Sequence, residues 1–92
     1  MENYWYIVQE KNTGYFLSRP TSESLIQSHP CLGTDWQSQY CIKFNKQEDA
    51  EALAAKEQKY NDEMRSFWIG ETHKPPKFDF TTRRIKITYT LE

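Results

Sequence analysis

A chain of 92 residues with 12 basic and 13 acidic side chains, formal net charge −1, is too short for two cores. It is also too evenly charged for a strongly cationic nucleic-acid binder or a heavily acidic DNA mimic. A domain of this length buries only about 60 to 65% of its unfolded surface; hydrophobic residues are 37% of the chain, but 15% are aromatic, and aromatic rings bury the most area per side chain, so the composition is that of one globular domain rather than of a disordered segment.

The first predicted element is a strand in "YWYIVQ", Tyr4 to Gln9. It is apolar on both alternating faces, with Tyr4, Tyr6 and Val8 on one and Trp5 and Ile7 on the other. A strand of that kind is covered on both sides or carries an aromatic binding face. Asn12-Thr13-Gly14 supplies residues that tolerate a tight turn, so Tyr4 to Gln9 and Tyr15 to Ser18 are expected to pair as an antiparallel hairpin over residues 4–18. Residues 19–39 show no sustained period and hold Pro20, Pro30 and Gly33, which predicts a long loop, a class of segment that often carries function. "YCIKF", residues 40–44, alternates as a half-buried strand.

Asn45 followed by Glu48 reads as a capping box, and Ala50, Leu53, Glu57, Tyr60, Met64 and Phe67 recur at helical spacing, with Ala54 beside Leu53. These features predict a helix over residues 46–68 with Gly70 just past its end, although "SFWI" at Ser66 to Ile69 also fits the opening of a strand. Pro75-Pro76 makes residues 71–82 a linker, and residues 83–91 alternate as a last strand. The order strand, strand, loop, strand, helix, strand predicts an α+β domain: a small antiparallel sheet with one long helix packed across one face.

Few residue patterns point to chemistry. His29, Cys31, Cys41 and His73 are zinc-ligand types, but no C-x2-C knuckle joins any two of them, and the expectation is no metal and no cofactor. Two cysteines do not form a disulfide framework, and both are expected as free thiols. No G-x-S-x-G and no phosphate-cradling glycine loop is present, so no catalytic residue is assigned and the chain is read as a non-enzyme. No apolar run spans a bilayer and no signal or lipidation motif is seen, which predicts a cytoplasmic protein without a membrane partner.

Binding is the better-supported class. The charge is uneven: Lys46 to Glu71 carries a net −3 and Thr72 to Glu92 a net +3, an asymmetry that lets helix and tail attract each other within the fold. The tail "HKPPKFDFTTRRIKITY" interleaves Lys74, Lys77, Arg83, Arg84 and Lys86 with Phe78, Phe80 and Tyr89, as single-stranded nucleic acid favours; the alternative is core aromatics beside a solvated cationic edge. Trp36 and Trp68 lie where regular structure ends, and Trp is enriched among binding hot spots. The candidate partner-binding set is therefore Trp36, Trp68, Lys74, Lys77, Arg83 and Arg84.

"YWYIVQEKNTGYFLS" followed by "DWQSQYCIKFNKQEDAEALAAK" resembles a layout common in small accessory proteins of phages and mobile elements, through Ile7, Gly14, Leu17, Trp36, Phe44, Glu48, Ala50 and Leu53. That resemblance implies an anti-defence or anti-CRISPR type of inhibitor, working in the bacterial host cytoplasm by stoichiometric binding to a bacterial protein or ribonucleoprotein effector, as a monomer or homodimer. The second expectation, from another class, is a small nucleic-acid-binding regulator that uses the basic, aromatic C-terminal segment, with weak and salt-sensitive contacts.

Overall fold

The strand that is apolar on both faces sits inside the sheet. In the computed structural model, which describes residues 3–19, 30–68 and 74–87, β1 (Asn3–Glu10) lies between β2 (Phe16–Ser18) and β4 (Phe80–Ile87), with β3 (Cys31–Gly33) outside β2. All pairings are antiparallel, and α1 (Gln47–Phe67) packs on β1 and β4, giving the single α+β domain that the element order predicts. Ile7 and Val8 are adjacent in β1 and each is 1% exposed, so the strand is covered on both faces at these two positions, while Trp5 on the Ile7 face is 37% exposed. Burying side chains of this kind stabilises the fold by about 2 kcal/mol each. No helix among the described residues is long and apolar enough to cross a membrane.

The hairpin differs from expectation beyond its turn. Gly14 adopts φ 76°, the left-handed conformation that glycine reaches at no steric cost, and Glu10 N–H donates to the Tyr15 carbonyl at 2.8 Å. Pairing of β1 with β2 stops at Gln9↔Phe16, because the segment expected as a regular third strand, residues 40–44, enters between them. Tyr6 and Phe44 exchange both backbone bonds, at 2.8 and 2.9 Å, while Ile42 N–H donates to the Leu17 carbonyl at 3.1 Å and Arg19 N–H to that of Tyr40 at 2.7 Å. The segment makes isolated bridges, at Phe44 and Cys41, rather than a continuous strand, since its two partners diverge. Within the expected loop 19–39, residues 31–33 form β3; an added Cβ on Gly33 would stand 2.7 Å from Ser18 Oγ, so β2 and β3 approach this closely only with glycine there.

The expected capping box of Asn45 and Glu48 does not form. The N-cap is Lys46, extended at φ −121° and ψ 135° and without a side-chain cap bond, because Phe44 is still tied to Tyr6 and the chain bends through Asn45 and Lys46 to reach the helix layer. Glu48 and Asp49 meet the positive helix end through charge instead. Ser66 and Phe67 are helical and Trp68 is the C-cap; Ile69 and Gly70 lie outside the described residues.

The buried stripe of α1 changes character along its length. Ala50 and Ala54 are small enough to bring the first turns onto Val8 and Leu17, with Tyr6, Phe44, Leu53 and Phe80 around them. Glu57 and Asn61 continue the buried line but are polar, while Tyr60 and Met64 are exposed and Phe67 is 79% exposed, contrary to the apolar stripe read from their spacing. The polar half faces the backbone of residues 75–80. Asn61 donates from Nδ2 to the Pro76 carbonyl at 3.0 Å and accepts from Phe78 N–H at 2.9 Å. Gln58 repeats the pattern with the Phe78 carbonyl at 2.8 Å and Phe80 N–H at 2.9 Å, and Arg65 donates to the Pro75 carbonyl. Two side-chain amides thus replace a neighbouring strand for a stretch whose prolines cannot donate.

Glu10 closes the other side of this segment. Its carboxylate is 0% exposed and accepts Asn12 N–H at 3.0 Å and Asp79 N–H at 2.7 Å on Oε2, and Thr13 N–H at 2.7 Å on Oε1. Residue 79 is thereby held in line with β1, so β4 begins at Phe80 and not after a linker running to residue 82; residues 88–91 of the expected strand lie outside the described residues. Burial alone would raise the Glu10 pKa, but the backbone N–H groups of Asn12, Asp79 and Thr13, with the Thr13 side chain, together hold it below the usual carboxylate value.

A depressed folded-state pKa supplies stability above the unfolded value that is lost as pH falls through the folded one. Stability against urea is therefore expected to fall as pH drops below about 4.5, and Glu10→Gln, which turns an NH2 toward a backbone donor, to cost about 2–3 kcal/mol at pH 7 and to flatten that acid limb. Asn61→Ala is expected to cost about 2 kcal/mol and to speed amide exchange at Phe78 while leaving the Ile7 and Val8 amides protected; unchanged exchange at Phe78 would contradict the amide clamp.

Candidate functional site

Cross-strand pairing places Trp5, Ile7 and Gln9 on one face with Ile85 and Arg83, opposite the helix, through the pairs Trp5↔Ile85 and Ile7↔Arg83. This open face carries a groove of about 390 Å³. Ile7 and Ile85 form its apolar part and Phe16 and Trp36 add aromatic walls. Gln9 and Arg83 supply polar side chains on this face, and Arg84 and Lys86 complete its border from the β4 positions that alternate with them.

Trp36 reaches the groove because residues 35–41 fold into a tight knot. Asp35 Oδ1 accepts Gln37 N–H at 2.8 Å and its carbonyl accepts Ser38 N–H at 3.2 Å. Ser38 then accepts Tyr40 N–H on Oγ at 3.1 Å, and its carbonyl accepts Cys41 N–H at 3.1 Å and Lys43 Nζ at 2.9 Å. Cys41, 1% exposed, anchors the end of the knot in the core. The same Lys43 ammonium lies 5.7 Å from the Trp5 ring centroid, a cation–π contact on the same face.

Arg83 is held by a relay of neutral groups. Gln9 Nε2 donates to the Gly14 carbonyl at 3.0 Å, which turns Gln9 Oε1 to accept from Arg83 Nη1 at 2.8 Å. Arg84, on the opposite face of β4, lies over the Tyr4 ring with Cζ 4.2 Å from the centroid. The structure thus brings two of the predicted partner-binding residues, Trp36 and Arg83, to the open face of one groove, while Arg84 borders it with its guanidinium engaged on the other face. The other three do not line it. Trp68 caps the far end of α1, Lys74 opens the clamped segment, and Lys77 is exposed with its carbonyl accepting Asn12 Nδ2 at 3.1 Å.

The tail aromatics are used inside the fold. Phe80 packs against the core, and the Phe78 ring stands 5.8 Å from it, tilted at 54°. Helix and tail are joined by amide-to-backbone bonds and the Arg65 contact, where charge asymmetry alone suggested ion pairing. Sequence reasoning missed Gln9, Phe16 and Ile85 as groove residues. The period-2 alternation of β1 and β4 puts Ile85 beside Arg83 on one face, but the register that brings Gln9 to them comes from pairing between residues 74 apart.

Both cysteines are free, Cys31 exposed and Cys41 buried, and they pair with Ser18 from opposite sides of β2. Burial pushes the Cys41 thiol pKa up, with Lys43 opposing and Asp35 adding to the rise. His29 and His73 lie outside the described residues, and among the described residues no group of three or more His, Cys, Asp or Glu is placed to hold a metal ion. Comparison with protein-family models, curated proteins and solved structures found no match.

Alkylation with iodoacetamide at pH 8 is expected to label Cys31 alone in the folded protein and Cys41 only after denaturant is added. Equal labelling of both in native buffer would contradict the buried Cys41 anchor.

Proposed function

We propose that this chain is a non-catalytic binding protein that occupies a bacterial protein or ribonucleoprotein effector stoichiometrically, as an inhibitor of a host defence complex of the kind carried by phages and mobile elements. The observation that carries the binding reading is the groove on the open sheet face, where Trp36 and Arg83 meet over an Ile7 and Ile85 floor. A half-buried Trp beside a guanidinium is the composition of a binding hot spot. The inhibitor form of the reading rests on the resemblance of the hairpin, the Trp36 loop and the helix entry to phage and mobile-element accessory proteins.

The nucleic-acid reading asks for exposed rings beside a continuous cationic track. Phe80 is taken up by the core, the Phe78 ring is tilted against it, and Lys74 and Lys77 do not join Arg83 at the groove, so the geometry supports protein capture better.

Expression in bacteria that carry a CRISPR or restriction-type defence is expected to restore plaquing of a targeted phage, and Trp36→Ala or the pair Arg83→Ala and Arg84→Ala to abolish that rescue with an unchanged helical circular dichroism signal. No rescue by the native chain in any such strain overturns the inhibitor reading. Rescue that survives in both variants overturns the groove as its surface.

A further inference from the structure

Resting on the reading that the open face captures a protein partner, the charge of the groove specifies what part of a partner enters it. Among the residues that line the groove, Arg83 is the cation on the open face, since Arg84 and Lys86 alternate to the other face of β4, and no acidic residue lines it. Arg83 is fixed in place by Gln9 Oε1 at 2.8 Å, and Gln9 is in turn fixed by the Gly14 carbonyl at 3.0 Å. Both anchors are neutral, so the guanidinium is oriented without being neutralised. One N–H of Arg83 is engaged by Gln9; a guanidinium has five, in a planar fork that matches a carboxylate.

Immediately beside that fork lie Ile7 and Ile85 under the rings of Phe16 and Trp36. The volume of about 390 Å³ is near the small end of ligand sites. It admits roughly one or two side chains and excludes a helix, whose diameter with side chains is about 10–12 Å. A polyanion would need further cations along its path, and Lys74 and Lys77 do not line the groove.

We propose that the groove receives a short acidic segment of the partner protein, with one Asp or Glu carboxylate on the Arg83 fork and an adjacent aliphatic side chain between Trp36 and the Ile7 and Ile85 floor. Gln9 is a positioning residue for this contact, holding Arg83 through a neutral oxygen. A Glu in place of Gln9 would present a carboxylate to Arg83 and compete with the ligand.

The test is a two-dimensional amide NMR titration of the native chain with the blocked peptide Ac-Asp-Leu-Asp-Leu-Asp-NH2, its neutral counterpart with Asn in place of Asp, and a ten-nucleotide oligo(dT). The acidic peptide is expected to shift the Trp36 indole and the Ile85 amide at millimolar concentration and to bind at least roughly tenfold more tightly than the neutral one. Gln9→Glu and Arg83→Gln are expected to remove that preference, and Arg83→Lys, which keeps charge but loses the fork, to retain only part of it. Equal binding of the two peptides, shifts confined to other surfaces, or preferential binding of oligo(dT) overturns the acidic-segment assignment. If the acidic preference is absent while Trp36→Ala still abolishes phage rescue, the ligand assignment fails and the binding reading stands. If rescue survives both groove variants while the peptide preference is present, the acidic-segment site stands and the inhibitor surface lies elsewhere.

Discussion

One buried carboxylate holds the two ends of the chain in register. Glu10 is 0% exposed, and its charge is met by backbone N–H groups of Asn12, Thr13 and Asp79. Two of these belong to the hairpin turn and the third to the segment entering β4, 69 residues away. An ionised acceptor strengthens each such bond relative to a neutral one, and a carboxylate oxygen that accepts two donors cannot be replaced by an amide nitrogen. The β1/β4 ladder, from Glu10↔Phe80 to Asn3↔Ile87, therefore starts from a fixed end, and its register decides that Arg83 and Ile85 share a face with Ile7 and Gln9. The groove is a downstream consequence of that clamp.

The helix answers the same constraint from the other face. Its first turns need to approach the sheet closely, and Ala50 and Ala54 allow this. Further along, the neighbour is no longer a sheet but the Pro75–Pro76 stretch, whose backbone has carbonyls to satisfy and few N–H groups to offer. An apolar stripe there would bury those carbonyls without partners, at a cost of about 1–3 kcal/mol each. Gln58, Asn61 and Arg65 are the physical solution, and they leave Tyr60, Met64 and Phe67 turned away from the sheet.

This division explains what was legible in the sequence. The architecture was, because β1 is apolar on both faces, the run from Arg83 alternates and the helix carries a long uninterrupted period. Residues 40–44 alternate like a strand, yet they form a wedge between β1 and β2, because whether a strand finds one continuous neighbour depends on how far β1 and β2 diverge. The apolar spacing of Tyr60, Met64 and Phe67 pointed inward for the same reason that the Asn45 cap did not form: local patterns describe a helix on an idealised sheet, and neither the strap at residues 75–80 nor the Phe44 bridge is a local feature. Of the site, Trp36 and Arg83 stood out by residue type, but the partner that gives Arg83 its role, Gln9, is an ordinary strand residue until the ladder brings it there.

The choice of that partner carries the functional weight of the groove. An Asp or Glu opposite Arg83 would form an ion pair on a partly exposed surface, worth about 0–1 kcal/mol to the fold, and would cancel the field at the mouth of the concavity. Glutamine gives nearly the same geometric restraint without cancelling the positive charge. Elsewhere among the described residues Lys11 lies 4.0 Å from Asp79 and Lys59 3.9 Å from Glu63, two exposed pairs of opposite charge. At the groove the Arg83 guanidinium is braced by a neutral oxygen and lies beside aliphatic and aromatic surface, so an oriented cation and an apolar recess coincide.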